Sequence, residues 1–599
     1  MLNIKSLLST ILTLFLLFCV QSFAETFVVT NLNDPGAGSL RQAINTSNGV
    51  PGPDEIVFEQ GLEGTIVLNL GSLFIQDDLT ITGPSADVIT INADGNSDVF
   101  AVTDFDDEKN RVVIISGLRF INGNAFEDGF IVNYEILTID SCVFINGNAT
   151  LGGGAIGNRK ILTVDSCLFD SNFAPDGGAV MNYDEAISLS ILNSKFIDNQ
   201  ADFGGAIRNN GTIELITNST FSDNTAISGG AIYNFRGTIK EISNSTFNKN
   251  SATWSGGAIL NIVTTIEKIE NSTFTDNVAL IGSAIRNGGI INISFTTIAN
   301  NKSAPPPTPG PPSTPPPPTT PPPPPRAGIV EISGGVTRFR NSIIAFNSPK
   351  NCFSPVADFG GNYSDDFSCG FLGDGSEIIL LPLADNGGPT ETMFPMGGDP
   401  IDGATVNCDA LDGMGNPTGI PVEIDQRYFP RPFGVRCDSG AVELGPESIV
   451  TITKATDPSG INDFRFGSSG FDPLQDCPLD GGGDGIFILN DGESITCRVP
   501  EGEYSIHENV PNGYELFIVC FGDNDNLIID NKKGEITFSV PEIDPSPDVD
   551  CLFTNVRTRD GGGGGGCTLA PAGASGSMPL YLFIPALILI RRIVKRFRS

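Results

Sequence analysis

The side chains best able to do chemistry in this 599-residue chain are carboxylates lying close to arginine and lysine. Arg159, Lys160, Asp176, Asp202, Arg208 and Arg236 sit beside the turns of an internal repeat, where residues distant in sequence could meet. Aspartates grouped with a basic side chain suit two chemistries: proton abstraction beside calcium, or glycoside hydrolysis by a carboxylate pair. A second group, Asp402, Asp425, Arg427 and Glu443, falls in a loop-rich stretch, and buried salt bridges are its expected role. Histidine chemistry lacks parts, because His507 is the only histidine. Asp523–Asn526 and Asp544–Asp550 offer hard oxygen ligands for calcium but fit no standard ligand loop, so solvated turns are expected. No other cofactor is implied.

Of the 12 cysteines, Cys19 lies in an N-terminal apolar run and Cys567 in the C-terminal tail. The ten others fit an oxidising compartment and up to five disulfides. Local pairs are expected for Cys352 with Cys369, Cys408 with Cys437, Cys477 with Cys497, and Cys520 with Cys551. Cys142 and Cys167 stand in matching Ser-Cys-x-Phe contexts, as neighbours that are either a disulfide or a buried thiol pair. There is no zinc-like Cys-x-x-Cys pair.

The elements that must position these groups come from a repeat. Gly-Gly-Ala-Ile-x-Asn and its variants begin at Gly153, Gly177, Gly204, Gly229, Gly256 and Gly282, a period of 24 to 27 residues. In step with it runs Phe-x-x-Asn, at Phe169 and Asn172, Phe196 and Asn199, Phe221 and Asn224, Phe247 and Asn250, and Phe274 and Asn277. Between them lie strand-length runs of Ile, Leu, Val and Thr. That period predicts a right-handed parallel β-helix, each coil stacked on the last at about 4.8 Å. Phenylalanine would then form an internal stack, and asparagine would pair along the turns. Residues recurring in every coil are structural, since a catalytic residue appears once. Pro305–Pro325 interrupts the register, yet Ile298–Asn301 and Ile344–Asn347 both fill the Phe-x-x-Asn position. The tract therefore reads as a loop thrown out of a continuing helix. Leu40, Ala43 and Ile44 sit at helix spacing, suiting a short amphipathic cap over the first coil.

Net charge is −36, which repels phosphate backbones and makes nucleic acid a poor partner. Lys5, the apolar run Leu7–Val20 and Ser22–Ala24 read as a signal peptide cleaved after Ala24. At the other end come Gly561–Gly566, Cys567, the apolar Met578–Ile590 and five basic residues. This reads as a spacer, a membrane-retention segment and a cytoplasmic stop.

These motifs carry several resemblances. The paired Phe-x-x-Asn and Gly-Gly-Ala-Ile tandems resemble the repeats of chlamydial polymorphic outer membrane proteins, which are surface adhesins; no C-terminal β-barrel sequence follows here. Phe27–Ile44 with Asp54–Phe58 resembles the CSLREA-type N-terminal region of secreted β-helix proteins. Residues 381–446, with Leu381–Thr390, Pro400–Gly403, Asp425–Arg427 and Cys437–Glu443, resemble the choice-of-anchor Q domain, which implies a C-terminal cap. Val450–Lys454, Gly502–Glu508, Pro511–Tyr514 and Cys551–Asn555 resemble prealbumin-like collagen-adhesin B-type stalk modules, which makes Lys454 and Asn555 candidates for an isopeptide pair. The tail resembles the Gly/Cys-rich C-terminal sorting signals of Gram-negative bacteria (GlyGly, MYXO and JDVT types), with Cys567 the candidate point of processing or attachment.

The expected chain is all-β: a signal peptide at 1–24, a β-helix over 25–380 with its Pro-rich loop at 305–325, and a cap over 381–446. A small prealbumin-like β-sandwich follows at 447–557, then a spacer at 558–577 and the membrane tail at 578–599. The expected function is an exported, cell-surface or outer membrane-associated adhesin or display protein without enzyme activity. Its expected partners are a host-cell or extracellular glycan or protein and, through the tail, the membrane. The alternative is a lyase or hydrolase acting on acidic polysaccharide in the helix groove.

Overall fold

The computed structural model describes residues 24–304 (save 107–108) and 328–444 (save 332–334, 406 and 433–435). From 448 to 557 it describes the strands and some of their connections. Two compact units emerge, ending and beginning at Leu444 and Gly445.

The first unit is a parallel β-solenoid of about 11 turns. A typical coil runs Ile136–Asp140, Val143–Ile145, Asn148–Ala149 and Ile156–Asn158, one strand in each of four parallel sheets, here numbered 1 to 4. Sheets 1 and 2 have 13 strands each, sheet 3 has 8 and sheet 4 has 10. Alternation decides which side chains enter the core: Leu137 and Ile139 are buried and stack on Leu162 and Val164 of the next coil, while Thr138 and Asp140 face outward.

Sheet 2 carries the phenylalanine stack. From Phe120 to Phe274, seven rings lie with centroids 4.6 to 4.8 Å apart and planes within 10° of parallel. Ile298 and Ile344 then occupy the same register, so the coil continues across the Pro-rich interruption as the spacing predicted. The residues flanking that interruption, Lys302–Ser303 in sheet 3 and Ile329–Glu331 in sheet 4, still pair with the preceding coil. Residues 305–327 themselves lie outside the described set.

Two buried asparagine ladders hold the corners. Asn133, Asn158, Asn182, Asn209, Asn234 and Asn261 each pass an amide N–H to the oxygen of the next asparagine side chain, ending at Asn287, at 2.7 to 2.9 Å. A second ladder runs from Asn172 through Asn199, Asn224, Asn250, Asn277 and Asn301 to Asn347 and Asn351. Each of its amides from Asn172 to Asn301 also donates to the carbonyl of a core residue such as Phe144 or Phe169. Tight corners need left-handed backbone, and between sheets 1 and 2 asparagine supplies it at Asn193, Asn218, Asn244 and Asn271 (φ 46 to 52). In the glycine pair, Gly177 has φ +70, while a Cβ on Gly178 would lie 2.0 Å from the carbonyl oxygen of Gly205 in the next coil.

At the N-terminal end, Ser39 caps the helix Leu40–Ser47 by accepting from the Gln42 amide. Leu40, Ala43 and Ile44 are buried in the solenoid core, the role their spacing predicted.

Residues 381–444 pack on the last coils, where Arg340 pairs with Asp409 and Tyr363 donates to the Gly403 carbonyl. They also return along the side of the solenoid, over sheet 1 at Asn292 and Ser294 and over a row of threonines in register on sheet 2: Thr246, Thr273 and Thr297. Thr246 donates to the Glu391 carbonyl, Thr273 to Gln426 Oε1, and Thr297 accepts from the Ala441 amide. Disulfides Cys352–Cys369 and Cys408–Cys437 form as expected. Of the two alternatives for Cys142 and Cys167, the buried thiol pair is the one present and the disulfide is not: both are free and buried. They hold a position that later coils give to serine, where an N–H donates to the next side chain. Cys142 donates to Cys167 Sγ at 3.4 Å, Cys167 to Ser194 Oγ at 3.1 Å, and Ser194 to Ser219 Oγ at 3.2 Å.

The second unit pairs a four-stranded sheet with a five-stranded one. Most pairings are antiparallel, but Ser448–Asp457 runs parallel to Val549–Arg557. Phe553 of one sheet meets Phe466 of the other at 5.3 Å, edge to face, and Cys520–Cys551 is a disulfide. Cys477 lies outside the described residues.

Candidate functional site

Sheet 4 brings most of the nominated basic residues to one face. Between residues 131 and 287 its strands read Ile-x-Asn, or Val-x-Asn at Val180–Asn182, with the first and third side chains inward; of the middle residues Arg208 and Arg286 are half-buried, and Met181, Tyr233 and Leu260 are buried. Met181, Arg208, Tyr233, Leu260 and Arg286 align as middle residues on successive coils.

Arg159 is enclosed. It forms an ion pair with Asp128 at 2.8 Å and stacks over the rings of Tyr183 (3.9 Å) and Tyr134 (5.0 Å). Asp128 has no exposed side-chain surface; burial pushes its carboxyl up, against the pull of Arg159 and of N–H and O–H donors from Gly153 and Tyr183. Burial and the neighbouring Asp128 charge push the Tyr183 hydroxyl up as well. Lys160 bonds Glu135 at 2.9 Å. Arg208 and Asp176 do meet, as an ion pair, and the Arg208 guanidinium lies 5.6 to 5.8 Å from the rings of Phe203, Tyr233 and Phe235. Arg236 is exposed, 5.0 Å over Phe235, and Asp202 is exposed on sheet 3. The sequence reading missed Asp128 and Glu135, which lie 31 and 25 residues from their partners and belong to no motif.

The group in 381–444 is internal. Asp425 pairs with Arg427 at 2.8 Å and accepts the amides of Arg427, Phe429 and Glu443. Arg431 pairs with Glu443 at 3.0 Å and donates to the carbonyls of Asp438 and Gly440. Asp402 accepts the Arg436 amide and donates its own to Asp438. Burial pushes Asp438 up to about 6, although the Asp402 and Leu444 amides oppose it. These groups hold the loops of 381–444 together.

The second unit contains a buried triad. Lys454 Nζ lies 3.0 Å from Glu508 Oε2, and Asn555 Nδ2 donates to Glu508 Oε1 at 2.5 Å. The side chains of Lys454 and Glu508 are fully buried, and Asn555 Oδ1 has no hydrogen-bond partner among the described residues. Burial raises the Glu508 carboxyl, with Lys454 and Asn555 pulling the other way. Parallel pairing aligns Lys454 with Phe553 and Thr456 with Asn555, so the lysine and asparagine come from adjacent strands. His507 is the exposed neighbour of Glu508 on the same strand.

Among the described residues, no three His, Cys, Asp or Glu side chains converge as metal ligands. Asp523–Asn526 and residues 544–548 lie outside that set, as do 1–23 and 558–599 with Cys567. Among the described residues, no helix is long and apolar enough to cross a membrane.

Comparison with known families places Chlamydia polymorphic membrane protein repeats at residues 218–234 and 244–262, within the solenoid coils. No curated protein matches the chain. Solved structures with similarity include a pilus-presented adhesin, Spy0125 (Cpa), at 17% identity over 21% of this chain and 30% of that one, with a TM-score of 0.14. A major pilin (T-13) from Streptococcus pyogenes matches at 18% identity over 22% and 52%, TM-score 0.14. An adhesin from Mobiluncus mulieris with disulfide, isopeptide and ester cross-links matches at 16% over 28% and 57%, TM-score 0.14. This chain covers less than two thirds of each, and a TM-score of 0.14 is too low to establish a shared fold.

Proposed function

We propose that this chain is an exported, non-enzymatic surface protein whose solenoid serves adhesion or display. The supporting observation is the polymorphic membrane protein repeat within the coils, a repeat of outer membrane and surface proteins in Gram-negative bacteria. The repeated Phe and Asn residues are consumed by the core stack and ladders, and the nominated Arg159, Lys160 and Arg208 are tied to carboxylates. In this reading the leader ends at Ala24, the second unit is a prealbumin-like stalk, and the tail after Gly561 hands the chain to the cell surface, with Cys567 the point of processing.

The buried triad supports a stalk cross-link. Lys454 Nζ bonds to the side-chain carbonyl carbon of Asn555 and the bond from that carbon to its amide nitrogen breaks. Ammonia leaves carrying a proton relayed from Nζ through Glu508. The adhesive reading is tested by incubating the purified chain with a polysaccharide panel and with intact host cells. Saturable cell binding without product release is expected. Release of shortened polysaccharide would overturn it in favour of a lyase or hydrolase.

A further inference from the structure

Segment 381–444 lies over parts of sheets 1 and 2, whereas sheet 3 holds large apolar side chains out in solvent. Between residues 120 and 300 ten such side chains are exposed, and six of them lie in a sheet 3 strand or within two residues of its end. They are Phe126, Leu151, Phe173, Phe203, Ile227 and Trp254, each 36 to 69% exposed and each from one of six successive coils. Alternation puts some of them there. The alanines Ala174, Ala201, Ala226 and Ala252 stack in register and point inward, so their neighbours Phe173 and Ile227 point out. A bulge opposite Ile227 adds one residue to the strand Ser251–Ser255 and leaves both Thr253 and Trp254 exposed. A contiguous apolar band on a surface marks a place where something docks.

The charge beside this band is negative. Asp198 and Asp223 stand exposed on adjacent coils at the corner where sheet 2 gives way to sheet 3, and Asp202 is exposed on sheet 3 itself. None of the three forms an ion pair among the described residues, whereas Asp176 is taken by Arg208 and Asp276 by Lys302. Along that corner row, from Ser171 to Asp276, the one basic residue is Lys249. Partial burial, then the charges of Asp223 and Asp170, push the Asp198 carboxyl up, so a cation placed beside it would relieve a repulsion. An apolar band edged with carboxylates fits a partner whose apolar stripe is edged with lysine or arginine, and a basic amphipathic helix presents that pattern. An extended strand would instead send its apolar and basic side chains to opposite faces. From the coil of Phe126 to that of Trp254 is five strand spacings, about 24 Å, which a helix of about 16 residues covers. Helical turns repeat every 5.4 Å or so, close to the coil spacing of about 4.8 Å, so apolar contacts can recur along the whole band.

We propose that the outer face of sheet 3, from Phe126 to Trp254, docks a basic amphipathic helix of a partner protein. This rests on the adhesive reading above and names the partner's chemistry. The full chain is titrated with a labelled leucine–lysine peptide of about 18 residues, apolar along one helical face. A glutamate-for-lysine analogue, a scrambled peptide of the same composition and phosphatidylcholine vesicles are run beside it. The variants are Trp254→Ser, the pair Asp198→Asn with Asp223→Asn, and the sheet 1 pair Glu214→Gln with Glu241→Gln. Asparagine suits the left-handed backbone at Asp198 and Asp223 (φ 54 and 56), so the corner is kept. Expected is saturable binding of the leucine–lysine peptide, tighter by about tenfold or more than either analogue. Trp254→Ser should weaken it about tenfold, and the aspartate pair should weaken it about threefold or more and flatten its salt dependence. The sheet 1 pair should match the parent, and every variant should keep the parent's melting temperature. Absence of peptide binding would overturn the assignment. Equal binding of the scrambled peptide, or equal weakening by the sheet 1 pair, would also overturn it, since charge alone would then explain the capture. Vesicle binding that Trp254→Ser abolishes would overturn it in favour of a membrane. Binding to intact host cells that survives both Trp254→Ser and the aspartate pair would overturn it while leaving the adhesive role standing. Peptide binding as expected by a chain that binds no cells would do the reverse.

Discussion

Asn224 sits in the middle of the inner ladder, and truncating it to alanine should open the solenoid locally. Its amide donates to Asn250 Oδ1 and to the Phe196 carbonyl, both at 2.9 Å. Its Oδ1 accepts the Asn199 backbone N–H at 3.1 Å and the Asn199 amide at 3.0 Å. After truncation the Asn199 amide keeps the Phe169 carbonyl and Asn250 Oδ1 keeps the Asn224 backbone N–H, but the buried Asn199 backbone N–H loses its acceptor. An orphaned buried donor costs about 1–3 kcal/mol and each of the three other lost bonds about 0.5–1.5, so Asn224→Ala should cost about 2.5–7.5 kcal/mol. In a solenoid that loss is shared only with neighbouring coils. It should appear as a lower urea midpoint and faster amide exchange centred on residues 199–250. Asn218→Ala is the control, since Asn218 is a half-buried corner residue at φ 52 that donates to Asn193; it should cost about 1 kcal/mol. If Asn224→Ala costs no more than Asn218→Ala, the ladder is not what holds the coils.

Three other outcomes follow. Cys142 and Cys167 should resist iodoacetamide in the native protein at pH 8 and react fully on denaturation, because burial pushes the Cys142 thiol up to about 12 and Cys167 well above its ordinary value; peptide mapping reads this, and native labelling would refute it. Asp438 ionises at about 6 in the folded chain against an ordinary 3.8, so the folded form alone binds its proton between those values. Its contribution should therefore raise stability as pH falls from 7 towards 4, and Asp438→Asn should flatten that part of the stability profile without lowering stability at pH 7.5. Intact mass of the second unit should be lower by one ammonia, and Glu508→Ala should restore the uncross-linked mass; an unreduced mass in the parent would rule out the bond.

Much of the solenoid was legible because its determinants recur. Phe169 to Phe274 and Asn172 to Asn277 keep a spacing near one coil, and the same count exposed the Pro-rich tract as an insertion. The fate of Cys142 and Cys167 was not legible. Matching contexts put them on adjacent coils, but only the hydrogen bonds reveal that they stand in a serine row. Glu508 closes the quoted Gly502–Glu508 motif, but its place between Lys454 and Asn555 was not legible, because those partners lie 54 and 47 residues away on the opposite sheet. The return of 381–444 along the coils depends on contacts such as Thr246 with Gln426, 180 residues apart. Single threonines facing outward from a strand give no sequence signal of what will cover them.

The central claim is that the solenoid stands outside the cell. Intact cells of the producing bacterium, probed with antibody against residues 153–287 before and after permeabilisation, test it most directly. The account predicts full labelling of unpermeabilised cells, with the signal lost after brief surface proteolysis. Labelling that appears only after permeabilisation would contradict it.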